Sequence, residues 1–257
     1  MIGFCPLASG SKGNCIFFGT QKTRILIDAG IRTKTIFDRL SQIEIDPSTI
    51  QAVLITHEHI DHIAALPVLI QKLNIPVFAN AETAKAIVEI LNFRPRFKIF
   101  ATGEPFCFQD LTIHPFSIPH DTMDPVGFVI QDAYRKIGFC ADLGHVTSFI
   151  RKHLENCDYL YVEANHQPSM VHACARPPFY KTRVLGKLGH LSNEEAGKLL
   201  ASVYSEKLKH IHLAHLSSEC NAEEVAMQIV KSSLEGKQCE ISIAYQDQIS
   251  KPIYFNK

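Results

Sequence analysis

The chain has 257 residues, 46% of them hydrophobic, enough to bury the core of one large domain or at most two small ones. Lys plus Arg and Asp plus Glu balance at 26 each, which argues against broad non-specific nucleic-acid binding but leaves room for a local basic groove. No run of about 18 apolar residues is present, and Met1-Ile2-Gly3-Phe4-Cys5-Pro6-Leu7 has no basic n-region, so neither a spanning helix nor a secretory signal is expected. In chain order, strand-like runs occupy Gly3–Leu7, Asn14–Gly19, Thr23–Asp28, Gln51–Thr56 and Ile75–Ala79. Helical patterns cover Thr33–Ser41, Ala64–Ile70 and Ala81–Asn92. The middle is strand-rich: Phe97–Phe100, Phe106–Gln109, Leu111–Ile118, Val126–Gln131, Lys136–Ala141 and Asp158–Glu163. Helices return at Ser192–Tyr204 and Ala222–Ser233, each preceded by what reads as an N-cap with an acidic first turn, Ser192-Asn193-Glu194-Glu195 and Asn221-Ala222-Glu223-Glu224. Strands follow at Lys209–Leu213 and Glu240–Tyr245. Two halves, each running strands then helix, predict an α/β fold of two packed sheets with helices outside, as a single domain over 1–257.

The eight cysteines form no C-x-x-C pair, and most sit in apolar surroundings such as Phe139-Cys140-Ala141. They read as reduced core thiols of a cytoplasmic protein.

The densest ligand chemistry is Thr56-His57-Glu58-His59-Ile60-Asp61-His62, which follows the apolar run Ala52-Val53-Leu54-Ile55. Side chains two apart on an extended segment point the same way, so His57, His59 and Asp61 can converge on one point. A bend into helix at Asp61 swings His62 to a second point, a geometry suited to two ions about 3.5–4 Å apart. Imidazole with carboxylate suits Zn, Mn or Fe rather than Ca or Mg. A polar loop of merely solvated histidines is the bland alternative.

A search for other ligand-type residues where strands run out finds Asp142, His120, His215 and Asp28, and His190 in the Gly189-His190-Leu191-Ser192-Asn193 loop. Asp142 suits a bridge between two ions, or a cap for a helix starting near Val146. His120 is a ligand or a turn histidine. His190 is a site residue or a buried loop histidine. Asp28 suits a carboxylate that orients a ligand histidine, or a plain turn. The loop carrying Ser9, Ser11, Lys12 and Asn14 offers amides that suit a phosphate, or is an ordinary hairpin turn. His166 and Asn193 are weaker candidates for substrate or supporting contacts. His114, His153, His172, His210 and His212 read as surface or packing residues.

Together these motifs resemble the metallo-β-lactamase fold superfamily across almost the whole chain. The signature H-x-H-x-D-H is matched in full by His57, His59, Asp61 and His62, with His120, Asp142 and His215 in order behind it. The resemblance implies an αββα four-layer sandwich with two divalent metal ions. It places one ion on His57, His59 and His120, the other on Asp61, His62 and His215, and Asp142 between them. Leu7-Ala8-Ser9-Gly10-Ser11-Lys12-Gly13-Asn14, Asp28-Ala29-Gly30, Pro119-His120-Asp121, Asp142-Leu143-Gly144, Glu163-Ala164-Asn165-His166, Gly189-His190-Leu191-Ser192-Asn193 and Ala214-His215-Leu216-Ser217 resemble the YycJ/WalJ/VicX branch. Members of that branch act as metal-dependent DNA exonucleases, 5′ to 3′ on duplex ends. The segment Cys174-Ala175-Arg176-Pro177-Pro178-Phe179-Tyr180 is the least family-like. The short interval from Asp142 to His215 leaves no room for the inserted domain of β-CASP RNA-processing relatives.

The implied function is binuclear phosphodiester hydrolysis of DNA, with a metal-bridging hydroxide as nucleophile, Asp61 orienting it, and His190 as general acid or phosphate contact. His190 resembles the catalytic histidine that precedes the last ligand in tRNA 3′-processing enzymes of this fold. Neither a membrane nor an obligate protein partner is expected, and Lys12, Arg176, Lys181, Arg183 and Lys187 are candidates for a basic rim. Two rival readings are a thioester or lactone hydrolase of the same fold and a non-catalytic, metal-bearing regulatory protein.

Overall fold

A computed structural model describes residues 2–255; Met1, Asn256 and Lys257, the ends of the expected 1–257 domain, lie outside the described residues. The chain divides into two compact units, Met1–Pro115 with Thr122–Val126 and Tyr245–Lys257, and Phe116–Asp121 with Gly127–Ala244.

The first unit begins with β1 (Gly3–Ala8), β2 (Cys15–Gly19) and β3 (Arg24–Ile27), joined as an antiparallel meander. Helix α1 (Thr33–Gln42) leads to β4 (Ala52–Leu54), which runs parallel to β3 with Ile27 opposite Leu54. Two helices, α2 (Ile60–Ile63) and α3 (Leu66–Leu73), then carry the chain to β5 (Val77–Ala79), and α4 (Ala81–Leu91) carries it to β6 (Phe97–Ile99). Both new strands extend the parallel run. The short strands β4 and β5 are buried throughout, as strands covered on both faces must be. Leu66, Leu69 and Ile70 of α3 pack with Ile36 and Leu40 of α1 in one core cluster.

After β7 (Phe106–Phe108) and β8 (Leu111–Ser117), the second unit is built on β9 (Val126–Gln131), β10 (Lys136–Cys140), β11 (Tyr159–Glu163), β12 (His210–Ala214) and β13 (Glu240–Ile243). β9 and β10 pair antiparallel, and β10 through β13 run parallel. Helices α5 (Ser148–Leu154), α6 (Pro168–Ala173), α7 (Pro178–Val184), α8 (Asn193–Val203) and α9 (Glu223–Ser233) connect them, and β14 (Ile253–Tyr254) closes the chain against β1. The strands form two seven-stranded mixed sheets, in the orders β14-β1-β2-β3-β4-β5-β6 and β13-β12-β11-β10-β9-β8-β7.

Each expected strand and helix coincides with an observed one, with ends displaced by a few residues. The bend into helix at Asp61 is present as α2, while the helices α6 and α7 and the strand β14 were not expected; they are too short to show a period in a window of eleven or more residues. Ser192 caps α8 as expected, its hydroxyl accepting from the Glu195 amide. The expected Asn221 cap is corrected: the N-cap of α9 is Ala222, with no side-chain cap. The Asn221 side chain turns away to Asn193 and to the Ala164 and Asn165 carbonyls. Thr147, not Asp142, caps α5.

All eight cysteines are free, five of them buried. Burial pushes the Cys5 and Cys157 thiols up to about 12 and raises Cys15 and Cys140 as well. Exposed Cys107 is expected to react first with a thiol reagent, followed by half-buried Cys174 and Cys239. The five buried thiols should react only on unfolding. Rapid labelling of Cys5 or Cys140 in the native protein, located by mass spectrometry, would contradict this core.

Candidate metal centre

The parallel strands put the candidate residues side by side. In the first unit, β3 ends one residue before Asp28, and β4 ends just before the His57–His62 segment. In the second, Cys140 of β10 is level with Val162 of β11, and Val162 with Leu213 of β12. Asp142, Glu163 and His215 therefore emerge together where three adjacent strands run out, the place where open parallel sheets bind their ligands. Asp28, Asp142 and His215 all take left-handed backbone angles, φ 61°, 58° and 54°. Non-glycine residues at such angles carry local strain, and they cluster at functional sites.

In the first unit, His62 Nδ1 lies 2.8 Å from Asp28 Oδ2. The Asn14 amide nitrogen lies 3.0 Å from His62 Nε2, and Asn14 Oδ1 accepts from the Gly10 amide, which fixes the side-chain orientation. Nε2 must then be the acceptor, so Nδ1 carries the proton and donates to Asp28. Thr56 Oγ1 touches both Asp28 oxygens and lies 3.0 Å from His57 Nδ1. With the Thr56 proton directed to Asp28, His57 Nδ1–H donates to Oγ1 and its Nε2 lone pair is turned towards His59 Nδ1, 3.2 Å away. The loop backbone is held by Asn14 N–H on the Asp61 carbonyl, 2.7 Å, and Ala29 N–H on the His62 carbonyl, 2.7 Å. A Cβ at Gly30 would stand 1.6 Å from the Asp61 carbonyl oxygen, so only glycine allows this approach. His57 and His62 are buried, while His59 and Asp61 are half-buried.

In the second unit, ligand atoms of Asp142, Glu163, His190 and His215 lie within 4.8 Å of one another. Glu163, at the end of β11, is 0% exposed. Its Oε1 is 2.8 Å from His190 Nδ1 and 3.3 Å from His215 Nδ1, and its Oε2 accepts from the Leu143 and Leu191 amides. Burial alone would raise the Glu163 carboxyl. The His190 charge and the hydrogen bonds from His190 and His215 outweigh that and hold it below the ordinary range. Both imidazoles thus present Nδ1–H to one carboxylate, leaving Nε2 on the opposite edge. The His190 and His215 rings stack 5.2 Å apart. His120 donates Nδ1–H to the Gly189 carbonyl at 3.2 Å, its Nε2 lies 3.5 Å from Asp121 Oδ1, and burial lowers its pKa, which favours a neutral ring.

The donor chemistry of both clusters fits a divalent cation. Each of these imidazoles has one nitrogen on a carboxylate, hydroxyl or carbonyl and the other on the opposite edge, the arrangement typical of metal-ligating histidines. Asp28 stands in a left-handed turn with its Oδ2 2.8 Å from His62 Nδ1.

Other expectations fare differently. The Ser9, Gly10, Lys12, Gly13 and Asn14 amides are bonded within the protein, to Tyr245, Asn14, Gln246, Gly10 and Asp61. Through these bonds the loop supports the Asp61–His62 turn, and the five amides are not directed at a phosphate; Ser11 is exposed. Asn193 is fully buried and bonds Gln167 and Asn221, so it ties loops together rather than facing substrate. His166 is 2% exposed, and burial lowers its pKa to about 4. Sequence reasoning gave no role to Thr56 or Glu163. Glu163 carries the signal used for Asp142, a carboxylate ending an apolar strand.

A family profile described as "Beta-lactamase superfamily domain" matches residues 23–213. The exodeoxyribonuclease YycJ of Bacillus anthracis is 33% identical over 98% of this chain and 96% of its own length. The chain belongs to the metallo-β-lactamase superfamily, in its YycJ/WalJ group. The exodeoxyribonuclease WalJ of Streptococcus pneumoniae is 31% identical over the same shares of both chains. Among solved structures, the metallo-β-lactamase fold protein YhfI of Bacillus subtilis superimposes with a TM-score of 0.74 at 17% identity, over 96% of this chain and 97% of that one. Among the described residues, no helix is long and apolar enough to cross a membrane.

Proposed function

We propose that the chain is a binuclear metal-dependent phosphodiesterase, a 5′–3′ exonuclease acting on DNA ends in the cytoplasm, and that residues 1–257 form one domain. His57, His59, Asp61, His62, His120, Asp142 and His215 hold two divalent ions, Zn, Mn or Fe. When bound, these ions supply charge neutralisation at phosphorus and an acidified water.

The observation that carries the reading is His190. The 2.8 Å bond from its Nδ1 to buried Glu163 fixes the ring and leaves the Nε2 edge for substrate. An imidazole clamped at one nitrogen by a carboxylate can hold a proton at the other, which is what a departing alkoxide needs. Thioester and lactone leaving groups need no such acid as strongly, because thiolates and stabilised alkoxides leave at lower pKa. Asp61, half-buried and within 3.6 Å of His62 Nε2, is placed to accept a hydrogen bond and orient the attacking water. The names of the YycJ and WalJ relatives support DNA as the polymer.

The purified protein is expected to hydrolyse bis(p-nitrophenyl) phosphate and to release label early from 5′-labelled duplex DNA. Both activities should vanish with chelator and return with one of the three metals. S-lactoylglutathione should remain intact. Thioester cleavage without nuclease activity would replace this function with a thioesterase.

A further inference from the structure

Between Glu163 and Glu194 the chain carries no carboxylate, while Arg176, Lys181, Arg183 and Lys187 all fall there. In a protein of zero net charge this is a marked local asymmetry. The stretch holds α6 and α7, and its inner face is settled: Val171, Val184 and Cys220 pack together with Tyr180 and Cys174. Tyr180 and Val184, four apart, form the buried side of α7. Phe179 and Arg183, also four apart, share the adjacent side. Phe179 is 76% exposed, with Leu188 53% exposed beyond the helix end.

This side of α7 is tied to the candidate site. Arg183 grips Asp121, the neighbour of His120, through both carboxylate oxygens at 2.5 and 3.1 Å. The Val184 carbonyl accepts the His190 amide at 3.1 Å. A Cβ at Gly144 would lie 2.3 Å from the Lys187 carbonyl oxygen, so the segment is packed down on the Asp142–Gly144 turn. A phenylalanine left in water one helical turn from such an anchor makes no contribution to the core. The carboxylates Glu219 and Asp121 hold Arg176 and Arg183, and the amino groups of exposed Lys187 and half-buried Lys181 lie on the same segment.

We propose that α7 and the loop after it form a nucleic-acid docking surface on which Phe179 stacks against an unpaired base at the strand end, with Lys181 and Lys187 receiving flanking phosphates. An exposed aromatic on a helix whose segment also carries Lys181, its amine on the His172 carbonyl at 2.7 Å, and Lys187, with no carboxylate in that stretch of chain, has the chemistry that single-stranded nucleic acid selects. The inference rests on the phosphodiesterase reading and adds to it a preference for frayed or tailed ends over fully paired ones.

The test uses a fluorescein-labelled duplex with a short single-stranded tail and phosphorothioate linkages, so that binding is read by anisotropy without cleavage. Phe179→Ala should weaken binding about 10-fold, while Phe179→Trp keeps it near wild type. Lys181→Ala and Lys187→Ala should each lower the slope of log Kd against log salt by about 1. Turnover of bis(p-nitrophenyl) phosphate, too small to reach Phe179, should be unchanged in Phe179→Ala. Unchanged DNA affinity in Phe179→Ala overturns the proposal, as does loss of self-association in that variant with DNA affinity intact, which would assign the patch to a second copy of the chain. Wild-type protein that binds the tailed duplex but hydrolyses no phosphodiester would overturn the phosphodiesterase reading and leave the docking surface standing.

Discussion

His190→Ala is expected to leave bound metal unchanged and to reduce phosphodiester turnover at least about 100-fold. His190 is absent from the seven proposed ligands, so metal content, measured on dialysed protein by elemental analysis, separates its role from theirs. Its ring is fixed through Nδ1 by Glu163 and flanked by His215 at 5.2 Å and His120 at 5.4 Å. It is only part-buried, unlike Glu163 beneath it, so its Nε2 edge can meet substrate. The loss should be greatest for substrates with poor leaving groups. A p-nitrophenolate leaves without a proton, so the loss on bis(p-nitrophenyl) phosphate should be smaller than on DNA. Equal losses on both substrates would make His190 a phosphate contact rather than the acid. Wild-type turnover on both would remove it from the mechanism.

Glu163 substitutions should produce the second large effect, through a different route. The carboxylate is fully buried and serves four donors, two imidazole N–H groups through Oε1 and two backbone amides through Oε2. Glu163→Ala leaves all four without an acceptor and opens a cavity, for a stability loss of about 3–5 kcal/mol, read by denaturant unfolding. Glu163→Gln is the sharper probe. Its single carbonyl oxygen can face only one side, so its NH2 must oppose either the two imidazoles or the two amides, donor against donor. Metal affinity should then fall about 10–100-fold, measured by competition with a chromogenic chelator, because His215 loses the partner that holds its tautomer. His190→Ala should not show that fall. Unchanged metal affinity in Glu163→Gln would mean that Asp142 Oδ1, 3.3 Å from His215 Nδ1, and the Asn165 amide, which donates to the His215 carbonyl at 2.8 Å, hold His215 unaided.

The contrast between these two residues marks how far the sequence reaches. His190 was legible because it stands in a five-residue string with a recognisable pattern. Glu163 opens the string Glu163-Ala164-Asn165-His166, but nothing in it says that the carboxylate faces two histidines, one 27 and one 52 residues later. That depends on β10, β11 and β12 running parallel in register, a long-range pairing invisible to local patterning. Asn14 is similar: its loop suits a phosphate cradle or an ordinary hairpin turn equally well, and only the fold reveals that the Asn14 and Lys12 amides are consumed by contacts with Asp61 and Gln246.

The sequence by itself determined where β1 to β13 and the longer helices lie, because burial on a sheet imposes runs and periods that short windows detect. It also determined the H-x-H-x-D-H element, because those spacings are local. The tertiary structure alone decided which nitrogen each histidine turns to its support, through Asp28, Thr56, Glu163 and the Gly189 carbonyl. It also decided that α7 exists at all. Seven residues behind a proline give no periodic signal, yet packing Tyr180 and Val184 inward leaves Phe179 facing water beside the arginine that holds Asp121.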